Sequence, residues 1–204
     1  MKSTRQSILG IAVLINLFIG TAIAQTSAHT PQTSAQHSHS AQSSGEVSPS
    51  SAFADMSLDF ELLNADGETV KRTDFLGSNL LVGFGFTHCP DVCPVIAANM
   101  AKAIQLSDKD AMGVFISVDT ERDTPEVTGR YANYFGKRMI GLSGSHQQVS
   151  NAAKNFNITF VVTKTPDNYS VQHSPGTFLI SPDGELIEVY AINADPKEIA
   201  AAMK

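Results

Sequence analysis

Cys89 and Cys93 are the only cysteines in a chain of 204 residues, and they stand four apart in Cys-Pro-Asp-Val-Cys-Pro. A thiolate is both a nucleophile and a soft metal ligand. A close pair can therefore cycle between dithiol and disulfide, or hold one soft cation. A bridge across so short a loop removes little chain entropy, so it would add little to stability. Redox dithiols usually have two residues between the cysteines, and here there are three. The longer loop still allows a disulfide, and it opens space for both sulfurs to reach one Cu(I) or Zn(II), each of which wants a further ligand. The uses open at this point are a metal site, a redox dithiol, or a purely structural role as a disulfide or as two inert buried thiols.

His173 is the leading third group. It lies in YSVQHSPGTFLI, residues 169–180, just before a segment that reads as a sheet strand. In a thioredoxin-like sandwich the loop entering that strand faces the cysteine loop. Judged alone, a histidine so far along the chain is more often a surface or core residue. His88 adjoins Cys89, but an extended chain points it to the other side, which suits a structural role. His146 opens a polar helix and is expected to be solvated. Asp91, inside the cysteine loop, either tunes the site electrostatically or accepts backbone N–H groups in the turn.

These groups need a frame. Leu80–Phe86 is an apolar run, as expected of a central strand covered on both faces, and it leads into the cysteines. A helix follows to about Leu106. Pro94 lacks an N–H and clashes one turn back, so the expected start has Cys93 as N-cap, Pro94 first in the helix and residues 89–92 as a loop. Loops at the C-terminal edge of an open α/β sheet are where ligands bind. A helix N-terminus also stabilises a thiolate.

Upstream, residues 58–63 and 68–70 flank Asn64-Ala65-Asp66-Gly67 as a β-hairpin, and residues 73–75 form one helical turn. Downstream, residues 113–118 read as a second buried strand. Thr124-Pro125-Glu126 starts a helix to about Phe135, with Thr as N-cap and Pro at its first position. The Asp119–Glu126 stretch should reach the active edge, but it reads as turn and cap and is given no ligand role. A short strand spans residues 139–142, and Ser145 caps a helix to about Phe156. Residues 159–162 and 169–171 are short β segments around a Pro166-Asp167-Asn168 turn. Residues 176–180 and 185–190 make a closing hairpin, and Asp195-Pro196 starts a last helix to Met203. Strands alternating with helices imply a mainly parallel sheet covered on both faces. The expected fold is α/β: a thioredoxin-like three-layer sandwich with an N-terminal β-hairpin extension and an inserted β element.

The remaining chain sets the compartment. Lys2 and Arg5, the apolar run 8–19 and Ala22-Ile23-Ala24 read as a secretory signal over residues 1–24, cleaved before Gln25; the rival is an uncleaved anchor. Residues 25–52, rich in Ser, Gln, Thr and Ala, read as a disordered linker, because they bury too little apolar surface to offset ordering entropy. His29, His37 and His39 in that spacer are solvated, or weak metal scavengers. The globular domain is expected over residues 53–204. Removing Lys2 and Arg5 takes the basic residues from 14 to 12 against 20 acidic, a net charge of −8. That balance argues against a nucleic-acid surface and offers no basic patch for anionic lipid. Cleaved or retained, the leader puts the domain outside the cytoplasm, where a cysteine pair can cycle between thiols and disulfide.

Taken together, FGFTHCPDVCP at residues 84–94, DTERDTPE at 119–126, the His173-Ser174 pair and SPDG at 181–184 resemble the signature of Sco/SenC proteins. The resemblance spans about residues 58–203, and several ordered motifs agreeing is far more specific than C-x-x-x-C alone. It implies a thioredoxin-fold copper protein of the periplasm or mitochondrial intermembrane space that helps assemble the dinuclear copper-A centre of cytochrome c oxidase. It also implies one copper, Cu(I) or Cu(II), held by Cys89, Cys93 and His173, with the copper-A subunit or another copper or thiol protein as client. Some family members act instead, or also, as thiol–disulfide reductases for the copper-A cysteines. The chain departs from the family pattern at Gln172, where Asp is usual: Gln can hydrogen-bond but adds no negative charge beside the imidazole. Members are commonly membrane-anchored, whereas this leader reads as cleavable.

Three functions use the same residues: a copper-binding assembly factor, a thiol–disulfide oxidoreductase using Cys89 and Cys93 alone, and a redox or copper sensor. Peroxiredoxin-type chemistry fits poorly, because it wants a threonine three residues before the reactive cysteine and Thr87 is two before Cys89.

Overall fold

The computed structural model describes residues 56–204; the expected leader and linker lie outside the described residues. A five-stranded sheet in the order β5-β4-β3-β8-β9 forms the middle layer. Strands β3 (Asn79–Gly85), β4 (Ala111–Ser117) and β5 (Met139–Leu142) are parallel, and β8 (Thr177–Ile180) and β9 (Leu186–Tyr190) add an antiparallel hairpin against β3. Helices α1 (Val92–Leu106), α2 (Pro125–Phe135) and α4 (Pro196–Ala202) bury Ile96, Met100, Ala132 and Ile199 with Leu81, Phe115 and Leu179 on one face. Helix α3 (His146–Asn155) and the N-terminal segment cover the other face around Leu80, Val82, Phe84, Phe156 and Phe178. These are the three layers of the expected thioredoxin-like sandwich. Among the described residues no helix is long and apolar enough to cross a membrane.

Every residue of β3 is buried, as its unbroken apolar run requires of a strand paired on both edges and covered on both faces. Its residues alternate between the two clusters, with Leu80, Val82 and Phe84 on the α3 side and Leu81 on the α1 side. Gly83 and Gly85 also face α1. A Cβ at Gly83 would lie 2.9 Å from Met100 Sδ, and one at Gly85 2.9 Å from Cys93 Sγ, so glycine lets the helix close onto the strand.

Two small sheets are separate from the central one and pack on the core through Leu62, Val70, Phe160 and Val171. Strands β1 (Glu61–Leu63) and β2 (Thr69–Lys71) form the expected N-terminal hairpin, followed by a 3-10 turn at Arg72–Phe75. Strands β6 (Phe160–Thr165) and β7 (Asn168–His173) are the inserted β element, a separate two-stranded arm. Both strands are longer than expected from sequence, because the pairing continues along polar residues that carry no apolar signal. Thr124 and Ser145 cap α2 and α3 as expected, accepting from the N–H groups of Val127 and Gln148.

The start of α1 differs from the expectation. The helix begins at Val92 with Asp91 as N-cap, so Cys93 is the second helical residue and Pro94 the third. First-turn N–H groups have no intrahelical partner in any case, so proline is tolerated there, and the residue one turn back lies outside the helix.

Candidate metal centre

Cys89 and Cys93 lie where β3 passes into α1, at the C-terminal edge of the central strand. Cys93 is fully buried, its sulfur packed over Gly85, while Cys89 is partly exposed. Neither is in a disulfide. The Cys93 N–H donates to Cys89 Sγ at 3.5 Å, whereas the Asp91 carboxylate makes no capping bond. Cys89 sulfur thus takes the capping place at the N-terminus of α1.

This arrangement separates the two thiols chemically. Burial acts to raise the Cys89 pKa, but the N–H groups of Asp91, Cys93 and Val92 and the Cys93 thiol outweigh it, and the net shift is downward. Cys93 is pushed up to about 12, first by burial and then by its own thiol bonding to Cys89. The helix N-terminus therefore activates one cysteine, and the core keeps the other protonated.

His173 is the last residue of β7, and its Nε2 is 3.7 Å from Cys93 Sγ although 80 residues separate them. Its Nδ1 lies 3.1 Å from the Ser174 carbonyl oxygen. An Nδ1–H donating to that carbonyl leaves the Nε2 lone pair facing the sulfur. Burial lowers the imidazole pKa, partly offset by the Ser174 bond, which favours the neutral ring that a ligand requires. Phe86 packs edge-on against the imidazole, with ring centroids 6.1 Å apart. Gln172 is exposed on the opposite face of β7, so the imidazole is oriented by the backbone of Ser174 and not by the side chain before it.

Cys89, Cys93 and His173 are thus gathered at one edge of the sheet. They do not close round a point: among the described residues no group of three His, Cys, Asp or Glu donors is set to hold a metal ion. Cys93 and His173 touch, while Cys89 turns toward the helix N–H groups. His88 is exposed, with Nδ1 3.4 Å from Asp123 Oδ1 and 3.1 Å from Thr87 Oγ1. His146 is exposed as expected, and its ring lies 5.9 Å from that of Phe160 on the arm.

Two buried carboxylates escaped the sequence reading. Asp123 accepts from the Thr87 N–H (2.7 Å), the Thr87 hydroxyl (2.7 Å) and the Ser117 hydroxyl (2.6 Å). Asp119 accepts from the Tyr169 hydroxyl and from Arg122 Nε, and the Arg122 guanidinium sits 3.9 Å above the centre of the Tyr169 ring. Both side chains are fully buried. An acid at a strand's C-terminal end looks like a turn residue, and its partners are 36 and 50 positions away, beyond the range of any local pattern. Tyr131 was also missed. Its hydroxyl is the one buried side-chain polar atom without a hydrogen-bond partner among the described residues; the ring packs against the apolar cluster that holds Cys93, and burial pushes the phenol pKa up. Surface hollows elsewhere, one bounded by Phe60, Arg72 and Asn155 and another by Lys102, Tyr134 and Arg138, contain none of these groups.

Comparison with known proteins identifies the family and the fold. A family model described as SCO1/SenC matches residues 48–204. A SCO2-like protein of Rickettsia felis is 34% identical over 152 residues, covering 72% of this chain and 74% of the relative. The crystal structure of Arabidopsis thaliana ScoI with copper bound is similar with a TM-score of 0.63 and 34% identity, over 70% of this chain and 92% of that one. BsSco, described as a member of the Sco family of cytochrome c oxidase assembly proteins with a disulfide switch, is similar with a TM-score of 0.54 and 26% identity, over 71% and 89% of the two chains.

Proposed function

The chain belongs to the SCO1/SenC family, and on that premise we propose that it is an exported copper-binding protein serving the assembly of the copper-A centre of cytochrome c oxidase. Copper is its cargo, and Cys89, Cys93 and His173 are its ligands. The observation that carries this reading is the 3.7 Å approach of Cys93 Sγ and His173 Nε2 across 80 residues of chain. Two thiolates suit Cu(I), and an imidazole lets the same site accept Cu(II). The copper-bound Arabidopsis thaliana relative supports the choice of metal, and BsSco supports the oxidase. The periplasmic location rests on the leader read from residues 1–24.

The protein's own part follows from its protonation. Binding must strip the proton from Cys93, whose thiol is held neutral by burial, while Cys89 is already biased toward thiolate and His173 toward the neutral ring. Loading is therefore coupled to proton release, chiefly from Cys93. Drawing Cys89 inward also costs it the N–H groups of the helix start, which makes the site easier to empty than a closed cage of three rigid donors.

Titration of the reduced protein with copper, followed by absorption and EPR, tests this reading. One copper per chain is expected, with nitrogen hyperfine coupling in the Cu(II) form. His173→Ala should lose that coupling and most of the Cu(II) affinity. A variant that keeps both would overturn the three-ligand site.

The separation of the two thiols favours a second use, thiol–disulfide exchange. Cys89 would attack a client disulfide, and Cys93 would then release the mixed disulfide, leaving Cys89–Cys93 oxidised and the client dithiol reduced. Cys93→Ser should trap the mixed disulfide through Cys89. Turnover that is insensitive to His173→Ala would mark this activity as independent of copper.

A further inference from the structure

The sulfur donors and the imidazole donor come from segments that share no backbone hydrogen bonding, yet both are tied to one short loop. Between β4 and α2 the chain runs Asp119-Thr120-Glu121-Arg122-Asp123, pinned by the Arg122 and Asp123 N–H groups donating to the Asp119 carbonyl at 3.3 and 2.9 Å. The Ser143 hydroxyl donates to the Asp123 carbonyl at 2.7 Å, and Ser117 Oγ accepts from the Asp119 N–H at 3.2 Å while donating to the Asp123 carboxylate. The loop is thereby fastened to β4 and to Ser143 just beyond β5, the rigid side of the sheet.

From this base the two carboxylates point to different clients. Asp123 holds Thr87 by both N–H and hydroxyl, two residues before Cys89. Asp119 holds the Tyr169 hydroxyl, and Arg122 covers the Tyr169 ring while donating to the same carboxylate. Tyr169, Val171 and His173 share one face of β7 because side chains alternate along a strand. Of these, Val171 packs against the core. The arm therefore has its hydroxyl tether at one end of that face and its imidazole at the other, about 13 Å apart at the usual rise per residue. With the near end fixed, strand stiffness carries the constraint to the far end.

We propose that the Asp119–Asp123 loop is the gauge that sets the sulfur-to-imidazole spacing, Asp123 locating the cysteine loop and the Asp119–Arg122–Tyr169 cluster locating the arm that carries His173. Asp119, Arg122 and Tyr169 are positioning residues, and none is a ligand. Their effect falls on the nitrogen donor alone, because the sulfurs stay seated on β3 and α1 when the arm loosens. As a statement about copper, the inference rests on the copper reading above; as a statement about the arm, it does not.

Tyr169→Phe tests it with the loss of one hydroxyl from a half-buried ring, and Asp119→Asn is the conservative companion, since an amide oxygen can still accept from Tyr169. In the reduced, metal-free protein, Tyr169→Phe should speed amide exchange across residues 168–173 and leave β3 and α1 at their wild-type rates. With copper, its Cu(II) affinity should fall about tenfold, the scale usual for losing a group that orients a ligand. The nitrogen hyperfine coupling should weaken, and Cu(I) affinity should fall less. Asp119→Asn should stand between Tyr169→Phe and the wild type in both readouts. Wild-type exchange in the arm together with a wild-type Cu(II) spectrum in Tyr169→Phe would overturn the proposal. A wild-type protein that binds no copper would instead defeat the copper reading, and the exchange rates alone would then decide whether the loop positions the arm.

Discussion

Cys93 belongs to the core: it is a fully buried residue of helix α1 whose sulfur packs over Gly85 of a central strand whose residues are all buried. His173, its neighbour at 3.7 Å, stands on a two-stranded arm in which only Phe160, Val162, Tyr169, Ser170, Val171 and His173 are even partly buried. The first donor can move only if the domain opens. The second is held by the packing of Phe160 and Val171 against the core and by a few polar ties, Tyr169 to Asp119 and Lys164 to Glu121. Regions with few buried apolar contacts open at lower free energy than the core that supports them. One side chain of the pair is thus fixed in the core and the other rides on an adjustable arm, so the proposed copper site would pair a rigid half with one that can yield when its cargo leaves.

The most damaging way to break this contrast is to disturb the fixed half. Gly85→Val puts a branched side chain where even a Cβ meets Phe115 Cζ at 2.8 Å and Cys93 Sγ at 2.9 Å. Overpacking of this kind costs about 1–3 kcal/mol, and the wedge at the sheet centre belongs at the upper end. A lowered denaturation midpoint, with Cys93 becoming reactive to thiol reagents in the native protein, is the expected outcome; an unchanged midpoint would show that α1 is free to move.

Within the fixed half, the thiols themselves sharpen the contrast. Cys89 lies below the ordinary thiol value of 9.0 and Cys93 near 12, so at pH 8 Cys89 carries far more thiolate. Limited treatment with iodoacetamide should label Cys89 alone, as peptide mapping would reveal. Its rate should climb with pH through a value below 9.0 and then level off. Equal labelling of both cysteines would contradict the sealed position of Cys93.

A smaller effect is expected from pH at the arm. The His173 pKa is lowered from 6.5 by burial, so between that value and its folded value the unfolded chain binds more protons than the native one. Stability should therefore decline as pH falls from 6.5, and the decline attributable to His173 should stop once the folded imidazole also protonates. Comparison of denaturation midpoints for wild type and His173→Gln over this window isolates the contribution; identical slopes would mean that the ring is freely hydrated. The least effect belongs to Lys164→Met. The Lys164–Glu121 pair is more than half exposed on both sides, and such pairs are worth less than about 1 kcal/mol, so its removal should leave Cu(II) binding nearly intact. A loss as large as that of Tyr169→Phe would move the arm's anchor from Asp119 to the surface.

Much of the frame was legible because its signals are local. The unbroken apolar run of β3, the Thr124-Pro125 and Ser145 caps, and the turns at Asn64–Gly67 and Ser181–Gly184 each state a conformation within a few residues. The start of α1 was misread by the same means. Pro94 suggests a helix beginning at itself, but a first turn tolerates proline at its third position, and Cys89 sulfur supplies the capping acceptor that local pattern assigns to an N-cap residue. The lengths of β6 and β7 were underestimated because two-stranded pairing through polar residues leaves no period to detect.

What the sequence by itself determined is the set of candidate groups: two thiols at a strand–helix junction, and a histidine before a late strand whose side of the fold could be anticipated from strand order. Residue type and local order carry that information directly. Only the tertiary structure decided that Cys89 is the activated thiol and Cys93 the silent one, that the Ser174 carbonyl orients His173, and that Asp119 and Asp123 tie both halves to one loop. Each of these depends on burial and on contacts between segments tens of residues apart, and neither exists until the chain is packed.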